Sequence, residues 1–191
     1  MRIGRLLGVL VLAGGCSTAG APNGPRPPYT EAEHLTMTKC VGLSNLALAI
    51  GAVKLRGASA EELKERYAEA PDQPIPAAVT DEVIDGVFRL EADSPYAYSV
   101  AYFASCSEQV AQISGERLSP AQGCMSQANM ALAARISKER GTPQETEVQN
   151  LAQYGVPRTK EIVERVYAQS QSPGETQTDA WESCMAPFRA P

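Results

Sequence analysis

Few residues of this 191-residue chain have the types and spacing that chemistry requires. His34 is the single histidine, so a Ser–His–Asp triad, a Cys–His pair or a multi-histidine metal site cannot be built from the chain's own residues. We expect His34 to lie on the surface, near the start of the first helix. Asp81 and Asp85 could act as an acid–base pair, but carboxylates in the first turn of a helix also complement its dipole. We favour that structural role and predict no catalytic residue, no cofactor and no enzyme activity.

Four cysteines beyond the N-terminal region could bind a metal or form disulfide bonds. They are Cys40, Cys106, Cys124 and Cys184. No two of them form the closely spaced pair that is typical of a zinc site, so we predict no metal. Four cysteines allow three disulfide connectivities. An internal repeat favours one of the three.

The stretch 40–61 recurs as 124–145, at a shift of 84 residues. The residues of the first stretch that are identical in the second are Cys40, Asn45, Ala47, Leu48, Ala49, Lys54, Arg56, Gly57 and Glu61. The similarity continues in the later segments at shifts of 79 and then 78 residues. These shifts predict a tandem duplication, with one copy at 31–115 and the other at 116–191.

Each predicted copy carries one cysteine on its first helix and one on its last helix. The repeat therefore predicts the bridges Cys40–Cys106 and Cys124–Cys184, which an oxidising location outside the cytoplasm would permit. In the chain-entropy model, each bridge would stabilise the fold by about 4 kcal/mol.

The composition predicts an all-α fold with about four helices in each copy. Strand patterns are scarce, whereas Ala, Leu, Glu and Gln are abundant. We expect the first helix from about Ala32 to Leu55, with Lys54 complementing the dipole of that helix and Gly57 in the left-handed conformation after it. The predicted starts of the later helices are the capping boxes at 59–62 and 142–145, then Thr80 and Thr159, then Ser94-Pro95 and Ser172-Pro173.

Two kinds of side chain inside these helices could contact a ligand or a partner. Asn45 and Asn129 lie within apolar stretches, and we favour a core contact that fixes helix register over a ligand contact. The candidate partner-binding residues are Tyr96, Tyr98 and Tyr102, at positions where the second copy has Gly174, Thr176 and Ala180. Packing of one copy against the other explains the tyrosines equally well. Phe103 and Trp181 share one position, so we expect both in the core.

The N-terminus has the pattern of an export signal. Arg2 and Arg5 precede an apolar run that is too short to span a bilayer and that ends at Leu12-Ala13-Gly14-Gly15-Cys16. This ending resembles the lipobox of bacterial lipoproteins, whose cysteine is acylated, although Ala13 stands where leucine is usual. The resemblance implies a signal peptide at 1–15, lipidation of Cys16 and, from Ser17, an outer-membrane lipoprotein facing the periplasm, with the leaflet left open. An ordinary signal cut after 19–21 is the alternative.

Residues 16–30 are rich in Pro and Gly, which predicts an extended tether after the lipidated cysteine. Without Arg2 and Arg5, 15 basic residues face 22 acidic ones, so the mature chain carries a net charge of −7. This charge argues against binding to nucleic acid or to an anionic lipid surface. No other apolar run approaches the length of a membrane span, so we expect membrane attachment through the acyl chains alone.

A lipobox, an all-helical body and one cysteine pair in each unit resemble small secreted proteobacterial proteins. More loosely, the cysteine-bearing first and last helices are similar to those of periplasmic immunity proteins of the type VI amidase class. The resemblance implies a function in protein binding, with an immunity or inhibitor protein against a secreted effector preferred. A structural or assembly factor of the envelope and a carrier of an apolar ligand are the alternatives.

Overall fold

The computed structural model describes residues 28–69 and 75–190, so the predicted signal peptide and Cys16 lie outside the described residues. The described residues form eight α-helices and no strand, and an isolated β-bridge joins Tyr29 to Arg189. The helices are α1 (Glu31–Lys54), α2 (Ala60–Ala68), α3 (Ala77–Arg89), α4 (Pro95–Val110), α5 (Leu118–Glu139), α6 (Gln144–Ala152), α7 (Thr159–Ala168) and α8 (Pro173–Met185). The predicted all-α class is confirmed. The duplication stays a prediction from the sequence.

Four of these helices form an up–down bundle. α1 and α4 run antiparallel, because Cys40 is bonded to Cys106 while Gly51, farther along α1, lies against Tyr98 near the start of α4. α5 and α8 form a second antiparallel pair with its own disulfide bond, and α4 packs on α5. In the first half (α1–α4), α3 packs on α1 and α2 on α3. In the second half (α5–α8), α7 packs on α5 and α6 on α7.

Both predicted disulfide bonds, Cys40–Cys106 and Cys124–Cys184, are present. Their Cα atoms are 5.8 and 5.4 Å apart, within the ordinary range for a disulfide. Each bond ties together the two long helices of one half. Phe103 and Trp181 lie in the core, as predicted. Both rings are fully buried and meet edge to face, with centroids 5.4 Å apart.

Local signals place some helix starts and miss others. The predicted start of α3 at Thr80 is wrong, because the helix begins at Ala77, directly after Pro76; its first turn therefore contains no carboxylate, and the dipole role expected for Asp81 is corrected. The predicted capping box of α2 is present, with Ser59 and Glu62 each bonded to the other's backbone N–H. The box predicted at Thr142 is wrong, because α6 begins later, at Gln144, with no side-chain cap. The reason is that Thr142 belongs to the end of α5, where its N–H donates to the carbonyl of Ser137 at 3.0 Å in a Schellman-type ending.

Lys54 lies in the last turn of α1, as predicted, and Lys138 in the last turn of α5, and both also donate hydrogen bonds to the end of another helix. Lys54 Nζ donates to carbonyl oxygens at the end of α3, including that of Leu90 at 2.7 Å. Lys138 makes the same contact with the end of α7, including the carbonyl of Tyr167 at 2.8 Å. Each ammonium therefore satisfies the unpaired carbonyls of a neighbouring helix and fixes that helix against the bundle.

The expectation that His34 lies on the surface is wrong. The C-terminal part of α8 packs across the first turn of α1, so His34 is 2 % exposed and its ring stacks on Trp181. Its Nε2 lies 3.0 Å from both carboxylate oxygens of Glu182, which also accepts from Arg189 at 3.1 Å. Backbone bonds from Tyr29 complete this junction between the two ends of the described chain.

α1 is also the one described helix that is long and apolar enough to cross a membrane, with 24 residues and a mean hydropathy of 1.3 in its most apolar window. The sequence-based expectation that no further apolar run approaches this length is therefore corrected. In the structure α1 packs against α3 and α4 and carries the Cys40 disulfide, which are the contacts of a core helix.

Candidate interaction surface

A polar layer crosses the centre of the bundle and explains the two asparagines. Gln177 of α8 exchanges two hydrogen bonds of 2.6 Å with Asn45 and donates to Asn129 Oδ1 at 3.2 Å. Asn129 Nδ2 donates to Ser99 Oγ at 3.1 Å. Since each asparagine side chain is bonded to another helix, the arrangement fits a register-fixing contact between the two halves better than a ligand contact.

The three candidate tyrosines lie in different environments. Tyr98 is 3 % exposed and its ring lies over Gly51, where a Cβ would be only 2.7 Å from the ring. It packs with Ile50, Val83 and other core residues of the first half. Its side chain is therefore not available to a partner, which corrects the inclusion of Tyr98 among the candidate partner-binding residues.

Tyr102 is half-buried and covers Gly86 of α3, where a Cβ would be 2.7 Å from the ring. Burial raises the pKa of its hydroxyl, Glu82 adds to the rise and Arg89 opposes it. Tyr102 lines a shallow groove of about 440 Å³ between α3 and α4. Its ring closes part of that groove, so most of its area packs within the first half.

Tyr96 is different because it packs against the second half. Its ring meets that of Tyr154 edge to face, with centroids 5.2 Å apart and an interplanar angle of 64°. Tyr154 follows α6 and is 43 % exposed. Burial raises the pKa of Tyr96, with Tyr154 and Glu147 adding to the rise and Arg140 opposing it. Tyr96 therefore packs one half of the molecule against the other, which was the alternative explanation for the three tyrosines.

An apolar pocket of about 280 Å³ opens beside this tyrosine pair. Its walls come from both halves of the molecule and include Val100 and Met130 on the two long helices and Val156 before α7. We call Tyr96, Tyr154 and these three residues the seam pocket. The sequence analysis missed Tyr154 and Val156, because they lie where the two predicted copies differ in length and no repeat signal points to them.

No known protein family, curated protein or solved structure matches this chain. Asp85 is bound to Lys64 at 2.6 Å, and among the described residues no group of three or more His, Cys, Asp or Glu side chains could hold a metal ion. The seam pocket offers an apolar surface beside two tyrosine rings, which is typical of sites that bind other proteins.

Proposed function

We propose that this chain is a lipid-anchored protein of the bacterial envelope that acts by binding another protein through the seam pocket. The preferred version is an immunity or inhibitor protein against a secreted effector. The observation that carries the proposal is the half-exposed Tyr96–Tyr154 pair at the edge of an apolar pocket. Tyrosine and a small apolar pocket are typical of the residues that dominate the energy of protein interfaces.

The position of the pocket suits a protein that is tethered at its N-terminus. The described chain begins at one end of the bundle, where Tyr29 bonds to Phe188 and Ala190. α4 begins at the opposite end, because Tyr98 lies against Gly51, about 30 Å along α1 at 1.5 Å per residue. The seam pocket, which includes Tyr96, therefore lies far from the attachment point. A partner could reach it without meeting the membrane.

The test is an affinity capture from envelope and culture-supernatant extracts, with the chain from Ser17 onward as bait. We expect Tyr154→Ala to weaken binding of the captured partner by about 30-fold, the effect of losing about 2 kcal/mol at an interface hot spot. Val110→Ala is the matched control, since Val110 is 63 % exposed on another surface. Equal binding by both variants would contradict the role of the seam pocket.

The identity of the captured protein separates the functional classes. A single stoichiometric secreted hydrolase supports the inhibitor function, and its activity should fall when the two proteins are mixed. Resident envelope components would instead support an assembly factor. Lipid extracted from the purified protein, without any protein partner, would support a carrier of apolar ligands and refute the proposal.

A further inference from the structure

The buried apolar side chains of the described residues form three clusters, and only one of the three joins the two halves. We call this cluster the shared core. Its buried members are Tyr29, Met37, Cys40, Val41, Phe103, Cys106 and Ile113 from the first half, and Leu118, Ala121, Cys124, Met125, Ala128, Trp181 and Met185 from the second. The shared core lies toward the end of the bundle where the described chain begins, and it contains both disulfide bonds.

Beyond the polar layer the two halves have separate cores. On α1, Asn45 lies between the buried members of the shared core and those of a second cluster, whose residues all belong to the first half. On α5, Asn129 lies between the shared core and a third cluster, whose buried members all belong to the second half. Apolar packing between the halves is therefore concentrated on one side of the polar layer.

Tyr96 is the exception to this separation. Among the described apolar residues packed against the third cluster, Tyr96 is the one that comes from the first half. Its ring is held there by the edge-to-face contact with Tyr154. One such ring pair contributes much less free energy than the burial of a whole apolar core. The end of the bundle at Tyr96 should therefore open more easily than the end at the shared core.

We propose that the two halves rotate apart about the shared core, and that the Tyr96–Tyr154 pair is the latch that holds the closed form. The polar layer lies next to the shared core, where a rotation moves atoms least, so its hydrogen bonds can persist in both forms. The rotation widens the seam pocket, because the walls of that pocket come from both halves. A side chain too large for the 280 Å³ of the closed pocket would then bind the open form.

The hinge is a property of the free protein, so its test needs no partner and is independent of the proposed binding function. The measurement is the distance between two spin labels by electron paramagnetic resonance, on the protein from Ser17 onward. One pair is placed at Glu61 and Glu145, which are exposed residues in the first turns of α2 and α6, at the opening end. The control pair is placed at Leu35 and Ser119, which are exposed near the shared core. Attachment through a ketone-bearing unnatural residue leaves both disulfide bonds intact.

Removing either ring of the latch should lengthen the distance between the labels at the opening end. α1 extends about 20 Å beyond Val41 at 1.5 Å per residue, so a rotation of about 15° moves that end by about 5 Å. We expect Tyr96→Ala and Tyr154→Ala each to increase the mean 61–145 distance by about this amount and to broaden its distribution. The 35–119 distance should stay as it is in the unmodified chain.

Tyr102→Ala is the matched control variant, because Tyr102 lies on the same helix as Tyr96 but packs over Gly86 within the first half. Tyr154 is 43 % exposed, so Tyr154→Ala gives a folded test even if Tyr96→Ala does not fold. The hinge is overturned if the latch variants change the 61–145 distance no more than Tyr102→Ala does. It is also overturned if the 35–119 distance lengthens equally, since that result would show a general loosening of the bundle.

Discussion

Gln177→Met is the sharpest test of the polar layer in the bundle. Methionine has nearly the same shape, so the change removes three hydrogen bonds without opening a large cavity. It leaves Asn129 Oδ1 buried without its partner, whereas Asn45 is half-buried and water can reach it. Each lost hydrogen bond should cost about 1 kcal/mol, and burial of the apolar methionine side chain offsets part of that cost. We therefore expect the free energy of unfolding to fall by about 2 kcal/mol.

The assay is urea unfolding at neutral pH with both disulfide bonds intact. Combining Gln177→Met with Asn129→Leu replaces both partners by apolar groups of similar shape. We therefore expect the free energy of unfolding of the double variant to fall by less than the sum of the two single decreases, with a difference of at least about 1 kcal/mol. Additivity within about 0.5 kcal/mol would refute the reasoning, because it would show that the two amides do not interact energetically. Val100→Ala in place of Asn129→Leu, a change at the seam pocket, should be additive.

Three further predictions concern the disulfides, the helix ends and the pH dependence of stability. Replacing Cys40 and Cys106 together by alanine should lower the free energy of unfolding by about 4 kcal/mol in urea, since the bond spans 66 residues. Lys138→Met should cost about 1–2 kcal/mol and increase amide hydrogen exchange at the end of α7, whose carbonyls it leaves unpaired. Hydrogen bonds from the Ser59 backbone and hydroxyl lower the pKa of Glu62 below its ordinary 4.5. The ionised Glu62 carboxylate therefore stabilises the folded protein above pH 4.5, and this stabilisation is lost as the pH falls through the lowered pKa. Glu62→Gln, which can still accept from Ser59, should therefore flatten the acid limb of a plot of urea midpoint against pH.

Features that depend on nearby residues could be predicted from the sequence. The helix class, the capping box at Ser59 and the left-handed Gly57, with φ of 95°, follow from patterns within a few residues. The disulfide pairing required the repeat as well. Contacts between helices far apart in sequence were missed, because nothing local signals them. The burial of His34 depends on Glu182, 148 residues away, and no pattern around His34 indicates that α8 crosses α1.

The candidate sites show the same division between local and distant information. Tyr96 could be singled out because the second predicted copy has a glycine at that position. Its partner Tyr154 lies in a segment that the predicted repeat does not align. Helix periodicity places Tyr98 and Tyr102, four residues apart on α4, on one side of that helix. It could not show that glycines opposite them allow the rings to pack inward. Whether a tyrosine faces solvent or core was therefore decided by a residue on another helix.

The two predicted copies together contain a signal for these inward-packed rings that neither predicted copy contains alone. Gly51 and Tyr98 become Arg135 and Thr176 at the paired positions of the second half. A ring that lies 2.7 Å from the site of a Cβ leaves no room for any side chain there, so an arginine at that position requires a smaller residue in place of the ring. A glycine and a tyrosine that change together between copies therefore indicate contact.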